Sequence, residues 1–322
     1  MRFSAAERGL VKDIGRLMMN KSVLAIIEPD VFPDDVASRA SWLATQYGCD
    51  LDLLLCDPML TQFGDSFIAT SEAQKLADGI KQTQLEIIDG IAASVSSSKL
   101  NIATTVLHDR SMADAIISKA MDCDPTFVVK GTSFHSRAER ATFTYTDWRL
   151  IRKIVCPVWL VKGREWKEHP VIVGAVDPTH QHDPKAILDQ KIVEAGKTLA
   201  TMTSGKLLLL HTYQRLVEIG SHAMKAINPI KLPIDEIDKH VRESHRRQLD
   251  ALTSMNNIAL GDAHQLPGRT QDILPAFARS HGADIVIMGA VARTGLKRLV
   301  LGSTAERVLD HLPCDILLVR ED

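Results

Sequence analysis

The 322-residue chain has no run of about 20 consecutive apolar residues, so it offers no membrane-crossing helix. It has no CxxC pair among Cys49, Cys56, Cys123, Cys156 and Cys314, and an odd number of cysteines argues against a disulfide framework. Reduced, buried thiols are expected instead. It has almost no net charge, −2, so nothing draws the whole chain to nucleic acid or acidic lipid. The first twenty residues carry scattered charges and no apolar leader core, which makes the cytoplasm the expected location. Residues 1–20 read as an N-terminal extension, with Met18 or Met19 as an alternative start. A dinucleotide fold would need GxGxxG after its first strand, but the sequence reads EPDVFPDD from Glu28 and DPTHQHDP from Asp177. No GxxxxGK[ST] loop is present, and no nucleophile–base pair stands out.

What the chain does have is ordinary soluble composition, 45% hydrophobic and 24% charged, and enough length for two domains of about 150 residues. Short Val/Ile/Leu runs alternate with longer amphipathic segments. In the second half the runs at Val171–Val176, Lys206–Leu210, Ile258–Leu260, Asp284–Met288 and Asp315–Val319 are predicted strands. The segments at Pro184–Thr201, Ile234–Ser254, Thr270–Ser280 and Thr304–His311 are predicted helices, with Pro275 as a kink or early-turn position. The first half repeats the order, with strands at Ser22–Ile27, Leu51–Leu55, Asn101–Leu107, Thr126–Lys130 and Val158–Val161. Its long helix, Ser71–Val95, carries Leu76, Ile80, Leu85, Ile88 and Ile91 as the expected buried stripe. Strand–helix alternation of this kind gives an α/β fold with a parallel sheet and helices on both faces.

The halves superpose as sequences. Setting Gly289 opposite Gly131, a shift of 158, brings Cys314 opposite Cys156, Arg307 opposite Arg149 and ILLV opposite VWLV without a gap. Duplication explains that agreement. The expected domains are residues 21–163 and 170–322, joined by the charged stretch KGREWKEHP at Lys162–Pro170.

The chemistry concentrates in Gly289–Glu306, GAVARTGLKRLVLGSTAE, which follows a strand and leads into a helix. Small residues let backbone N–H groups approach a ligand, and a helix N-terminus attracts anions. Gly302, Ser303 and Thr304 stand at that helix start, with Arg293, Lys297 and Arg298 adding positive charge. A phosphate-holding loop and a plain capped loop both fit these residues.

The pattern Gly-x2-Gly-x9-Gly-Ser/Thr resembles the ATP-binding signature of universal stress proteins. Gly289 and Gly302-Ser303 match it; Ala292 stands in place of the middle glycine. TYTDWRLIRKIVCPVWLVK at Thr144–Lys162 resembles the tandem-domain members of that family. The resemblance implies two tandem doubly wound domains, each of five parallel strands in the order 3-2-1-4-5. It implies that Asp177 lies beside an adenosine moiety, so the ligand set is Asp177, Gly289, Ala292, Arg293, Gly302, Ser303 and Thr304. ATP or a related adenine nucleotide, with magnesium, is the implied cofactor, and Ala292 weakens or removes that binding. It implies a non-enzymatic role in resistance to oxidative or DNA-damaging stress and in motility or adhesion. A ligand-independent scaffold and a slow ATPase stay open beside it. The two domains would form an intramolecular pseudo-dimer, and a homodimer stays open too.

The first half departs from the signature. Glu28 stands for Asp177, Phe134 for Ala292, and Thr144 and Tyr145 for Gly302 and Ser303. Phe134 and Tyr145 are expected to fill the space of a triphosphate, leaving this half structural. Trp148, Trp159 and Trp166 are expected to pack between the halves. His180 and His182 read as a solvated loop rather than a metal site, and His240 and His245, five apart, fit one helix face poorly. The basic run Lys239–Arg247 reads as a solvated helix face rather than a nucleic-acid site.

Overall fold

The structure is a computed structural model that describes residues 21–57, 60, 70–109, 111–132, 134–135, 140–141, 144–179, 187–215, 234–290 and 307–320. Contacts divide the chain into two compact units, Met1–Gly131 and Thr132–Asp322.

In the first unit β1 (Ser22–Ile27) is buried at all six positions, as expected of a strand covered on both faces. It pairs in parallel with β2 (Asp50–Cys56) on one side and β4 (Phe127–Gly131) on the other, and β2 pairs with β3 (Ile102–Leu107). The order β3-β2-β1-β4 is the implied one as far as it goes. Among the described residues three helices cover these strands: α1 (Pro33–Tyr47), α2 (Ser71–Ser94) and α3 (Met112–Cys123). Pro33 opens α1 where a missing N–H costs nothing, and Gly48 ends it in the left-handed region at φ 62°. Thr70 and Ser111 cap α2 and α3 through their side-chain oxygens.

The buried face of α2 differs from the expected stripe. Ala73, Ala77, Gln84, Ile88 and Ile91 are buried, whereas Leu76 and Leu85 are 55% and 43% exposed. The two alanines bring the helix close to the sheet, and the larger leucines turn outward.

The second unit begins with the short hairpin β5 (Phe134–His135) and β6 (Arg140–Ala141), then α4 (Tyr145–Lys153) and β7 (Val158–Val161). There follow β8 (Val171–Ala175), α5 (Ile187–Thr203), β9 (Lys206–Tyr213), α6 (Ile234–Met255), β10 (Ala263–Pro267), α7 (Thr270–Ser280), β11 (Ile285–Gly289) and β12 (Asp315–Val319). The five repeat strands run parallel in the order β10-β9-β8-β11-β12, the full implied order. The third strand is not at Ile258–Leu260. Leu260–Asp262 is a 3-10 turn, and the strand is the more polar AHQLP that follows. An edge strand tolerates that composition, including Pro267. Pro275 sits buried within α7.

The units divide earlier than the linker because α4 and β7 pack with the second repeat. β7 pairs antiparallel with β12, Leu160 opposite Ile316. The indole Nε1 groups of Trp159 and Trp166 donate to Asp315 Oδ2 at 3.2 and 3.1 Å, and the Lys162 backbone N–H donates to Asp315 Oδ1 at 3.0 Å. Arg320, after β12, donates to the carbonyl of Ile151. Two of the three junction tryptophans therefore hold a buried carboxylate of the last strand.

Cys49, Cys56 and Cys314 are buried, Cys123 and Cys156 half-buried, and all five are free thiols. Burial pushes the Cys56 thiol up to about 11, reinforced by Asp109, Asp57 and Glu28, so it is an inert thiol at neutral pH.

Candidate functional site

In an open parallel sheet the ligand crevice lies outside the carboxyl ends of the strands, where the chain order reverses. In the second unit that point falls between β8 and β11. Their register ends on Ala175↔Met288, so Val176-Asp177 and Gly289-Ala290 leave the sheet side by side. The expected juxtaposition of Asp177 with Gly289 is present. Ala292, Arg293, Gly302, Ser303 and Thr304 lie outside the described residues, as do His180, His182 and residues 1–20.

Asp177 is half-buried. Its backbone N–H donates to Asp189 Oδ1 on α5 at 2.9 Å, and its Oδ1 accepts from the Thr179 hydroxyl at 2.5 Å. Among the described residues it has no ion pair. Gly289 has a packing reason as well: a Cβ there would overlap Leu188 on α5. Glycine thus lets α5 lie against the end of β11.

Two histidines join this corner. His211, on β9, is 1% exposed, and its Nδ1 lies 3.1 Å from the carbonyl of Val176. Its Nε2 lies 2.7 Å from Nδ1 of His245 on α6. The ring of Tyr213 tilts against His245 at 5.4 Å. Burial pushes both imidazoles below their ordinary range, and the charge of Asp177 pulls each partly back. The sequence hid this pair because its members lie 34 residues apart on a strand and a helix. A histidine ending the run of four leucines in β9 was the available signal. The weak spacing of His240 and His245 did not matter, since His245 finds its partner on the sheet.

The corresponding corner of the first unit is filled from within. Lys130, on β4, is almost fully buried and forms an ion pair with Glu28, the residue in the place of Asp177. It also donates to the Gly131 carbonyl at 3.1 Å. Met288 occupies the place of Lys130 in the second repeat. The loop after β1 lies over the end of β4 so closely that a Cβ on Gly131 would overlap the carbonyl oxygen of Val31. Gly131→Ala is therefore expected to lower the stability of the first unit by about 2 kcal/mol, as overpacking does, measured by urea unfolding. An unchanged midpoint would mean that the Val31 loop yields freely.

The N-terminus of the first repeat's last helix is capped from within. Thr144 and Asp147 form a reciprocal cap at the start of α4. The Asp147 N–H donates to Thr144 Oγ1 at 3.2 Å, while the Thr144 N–H donates to Asp147 Oδ2 at 2.7 Å. A buried carboxylate thus stands where a phosphate would dock. The second repeat has Ala305 at this position. Tyr145 does not fill any crevice. It is 75% exposed at the first turn of α4, with the Arg149 guanidinium 5.6 Å over its ring. The capping aspartate, not the tyrosine, occupies the helix N-terminus. Phe134 forms part of the β5–β6 hairpin.

Among the described residues no cluster of three or more His, Cys, Asp or Glu could hold a metal ion, and no helix is long and apolar enough to cross a membrane.

The family model for the universal stress protein family matches residues 19–162 and again 172–320. The chain is 28% identical over 311 residues to universal stress protein E of Escherichia coli K12, covering 95% of this chain and 96% of the relative. Among solved structures it resembles a protein of unknown function from Pseudomonas aeruginosa PAO1, with a TM-score of 0.68, 21% identity and coverage of 95% and 94%. A universal stress protein from Archaeoglobus fulgidus matches with a TM-score of 0.63, 14% identity and coverage of 95% and 100%. Two family matches in one chain, each spanning one of the repeats read from the sequence, mean that this chain belongs to the universal stress protein family and carries two of its domains in tandem.

Proposed function

We propose that this tandem universal stress protein binds ATP or a related adenine nucleotide, with magnesium, in its second repeat alone. The observation that carries the reading is the corner at the ends of β8 and β11, where Asp177 adjoins Gly289 with no lysine paired to it among the described residues. The sequence supports it further, since Gly302, Ser303 and Thr304 stand at the predicted start of the last helix, followed by Ala305 rather than an aspartate. Arg293 supplies a cation beside the phosphates. Ala292 adds one methyl where the family has glycine and makes the affinity modest.

The first repeat serves as the built-in partner of the second, in place of the second copy in a homodimer. Residues 21–163 and 170–322 are the two domains of this reading, and the cytoplasm is its location. Its role is in stress response rather than catalysis.

Calorimetric titration of the purified protein with ATP and magnesium tests the reading. One site per chain is expected, and Asp177→Ala should weaken it at least about tenfold, the loss of one charged hydrogen bond. Absence of heat, together with no competition by ATP against a fluorescent adenine nucleotide, would sink it.

A further inference from the structure

The hydrogen bonds around His211 fix which nitrogens carry protons. A carbonyl oxygen only accepts, so His211 Nδ1, facing the Val176 oxygen at 3.1 Å, carries a hydrogen. In the neutral ring His211 Nε2 is then a lone pair, and it accepts from His245 Nδ1 at 2.7 Å. The two rings lie 19° apart with centroids at 5.0 Å, the arrangement of imidazoles joined edge to edge. His245 Nδ1 is thereby committed as a donor inward. Its remaining nitrogen, Nε2, is an acceptor whenever the ring is neutral, with no hydrogen-bond partner among the described residues. The neighbouring Asp177 carboxylate is also an acceptor. Among the described residues this corner therefore offers acceptors and no charged donor, which suits a ligand edge that brings N–H groups and opposes one that brings carbonyl oxygens.

We propose that His245, with its tautomer set by His211, reads the amino group of a bound adenine ring and so makes the second repeat prefer adenine over purines with a carbonyl at that position. The proposal rests on adenine-nucleotide binding by this repeat. His245 is the specificity residue; His211 is a positioning residue acting through it. Asp177 at the end of β8 is the charge that acts on both rings, and Tyr213 packs from β9. Other titratable groups on the packed elements include Asp189 on α5, already bonded to the Asp177 N–H, and His264 on β10. On α6, Asp238 and Arg246 are in ion pairs with Arg215 and Asp250.

The experiment compares ATP with ITP, which carries a carbonyl in place of the amino group, in calorimetric titrations at pH 7.5 and pH 5.0. Wild type should bind ATP about tenfold or more tightly than ITP at pH 7.5. His245→Phe, which keeps a ring against Tyr213, should bring the two within about twofold. Acid should weaken the wild-type preference, because protonation turns His245 Nε2 from acceptor into donor, and burial of the ring places that loss below the ordinary imidazole range. His245→Gln, offering an amide oxygen, should restore part of it. In the unliganded protein, nitrogen NMR should find both histidines in the Nδ1–H form at neutral pH. A preference that survives in His245→Phe, or His245 in the Nε2–H form, overturns the assignment while leaving nucleotide binding intact. Wild type that binds neither nucleotide overturns both.

Discussion

Asp315→Ala should cost the second unit about 4 kcal/mol, enough to move its urea midpoint by about 2 M. The side chain is 1% exposed and takes hydrogen bonds from two indoles and one backbone N–H. Hydrogen bonds to a charged group contribute about 1.5–3 kcal/mol each, and buried donors stranded by truncation add their own desolvation cost. Trp159 is fully buried, so water cannot easily replace the lost acceptor. Lys162 makes matters worse. Burial outweighs the upward pull of Cys314, Asp310, Asp315 and Asp147 and leaves its ammonium at about 8. Removing Asp315 withdraws one of those supports. Asp315→Asn keeps the shape and one oxygen, and should lose about half as much. Circular dichroism and tryptophan fluorescence during urea unfolding would read both variants. Midpoints within experimental error of wild type would show that the indoles find other partners.

The second large effect lies in the first unit. Lys130→Met copies the residue found at Met288, yet it should destabilise by about 3 kcal/mol, because it leaves a partly buried Glu28 without its lysine. Adding Glu28→Gln should recover most of the loss, to within about 1 kcal/mol of wild type, since an ion pair replaced as a whole is often nearly neutral. Equal destabilisation of the single and double variants would mean that the two charges do not depend on one another. The same pair of variants bears on ligand binding. The double variant removes the internal cation but keeps the Val31 loop over Gly131, so it should not gain nucleotide binding.

Much of this arrangement could be read before any coordinates. The strands β1, β8, β9, β11 and β12 are continuous apolar runs, and runs of that kind have few alternatives to a doubly covered parallel sheet. Strand β10 could not be read, because at a sheet edge the pattern loosens into His264, Gln265 and Pro267. Asp177 and Gly289 could be brought together only through the strand order that the family resemblance implied. The partners that decide the chemistry were invisible for a common reason. Lys130 sits in FVVKG and looks like the end of a strand; only the fold puts Glu28 beside it. His211 and His245 meet across a strand and a helix. Asp147 looked like one acid in a polar helix start, although the Thr-x-x-Asp spacing from Thr144 was a legible near-match to a reciprocal cap. In each case a polar residue's role depends on a neighbour distant in sequence, or on a cap whose competitor is a ligand.

The pairing of β7 with β12 also bears on how the chain is made. A ribosome releases the first repeat's strand long before its antiparallel partner, which emerges after every other described strand. During that interval the edge of VWLV that β12 later covers presents unpaired backbone, beside a tryptophan destined for complete burial. Synthesis of the first repeat is thus not the same event as its completion, and the nascent chain must keep β7 from pairing with the β12 of a neighbouring chain. Strand exchange between chains is the characteristic hazard of such a design, and the speed at which the second repeat is delivered is its natural defence.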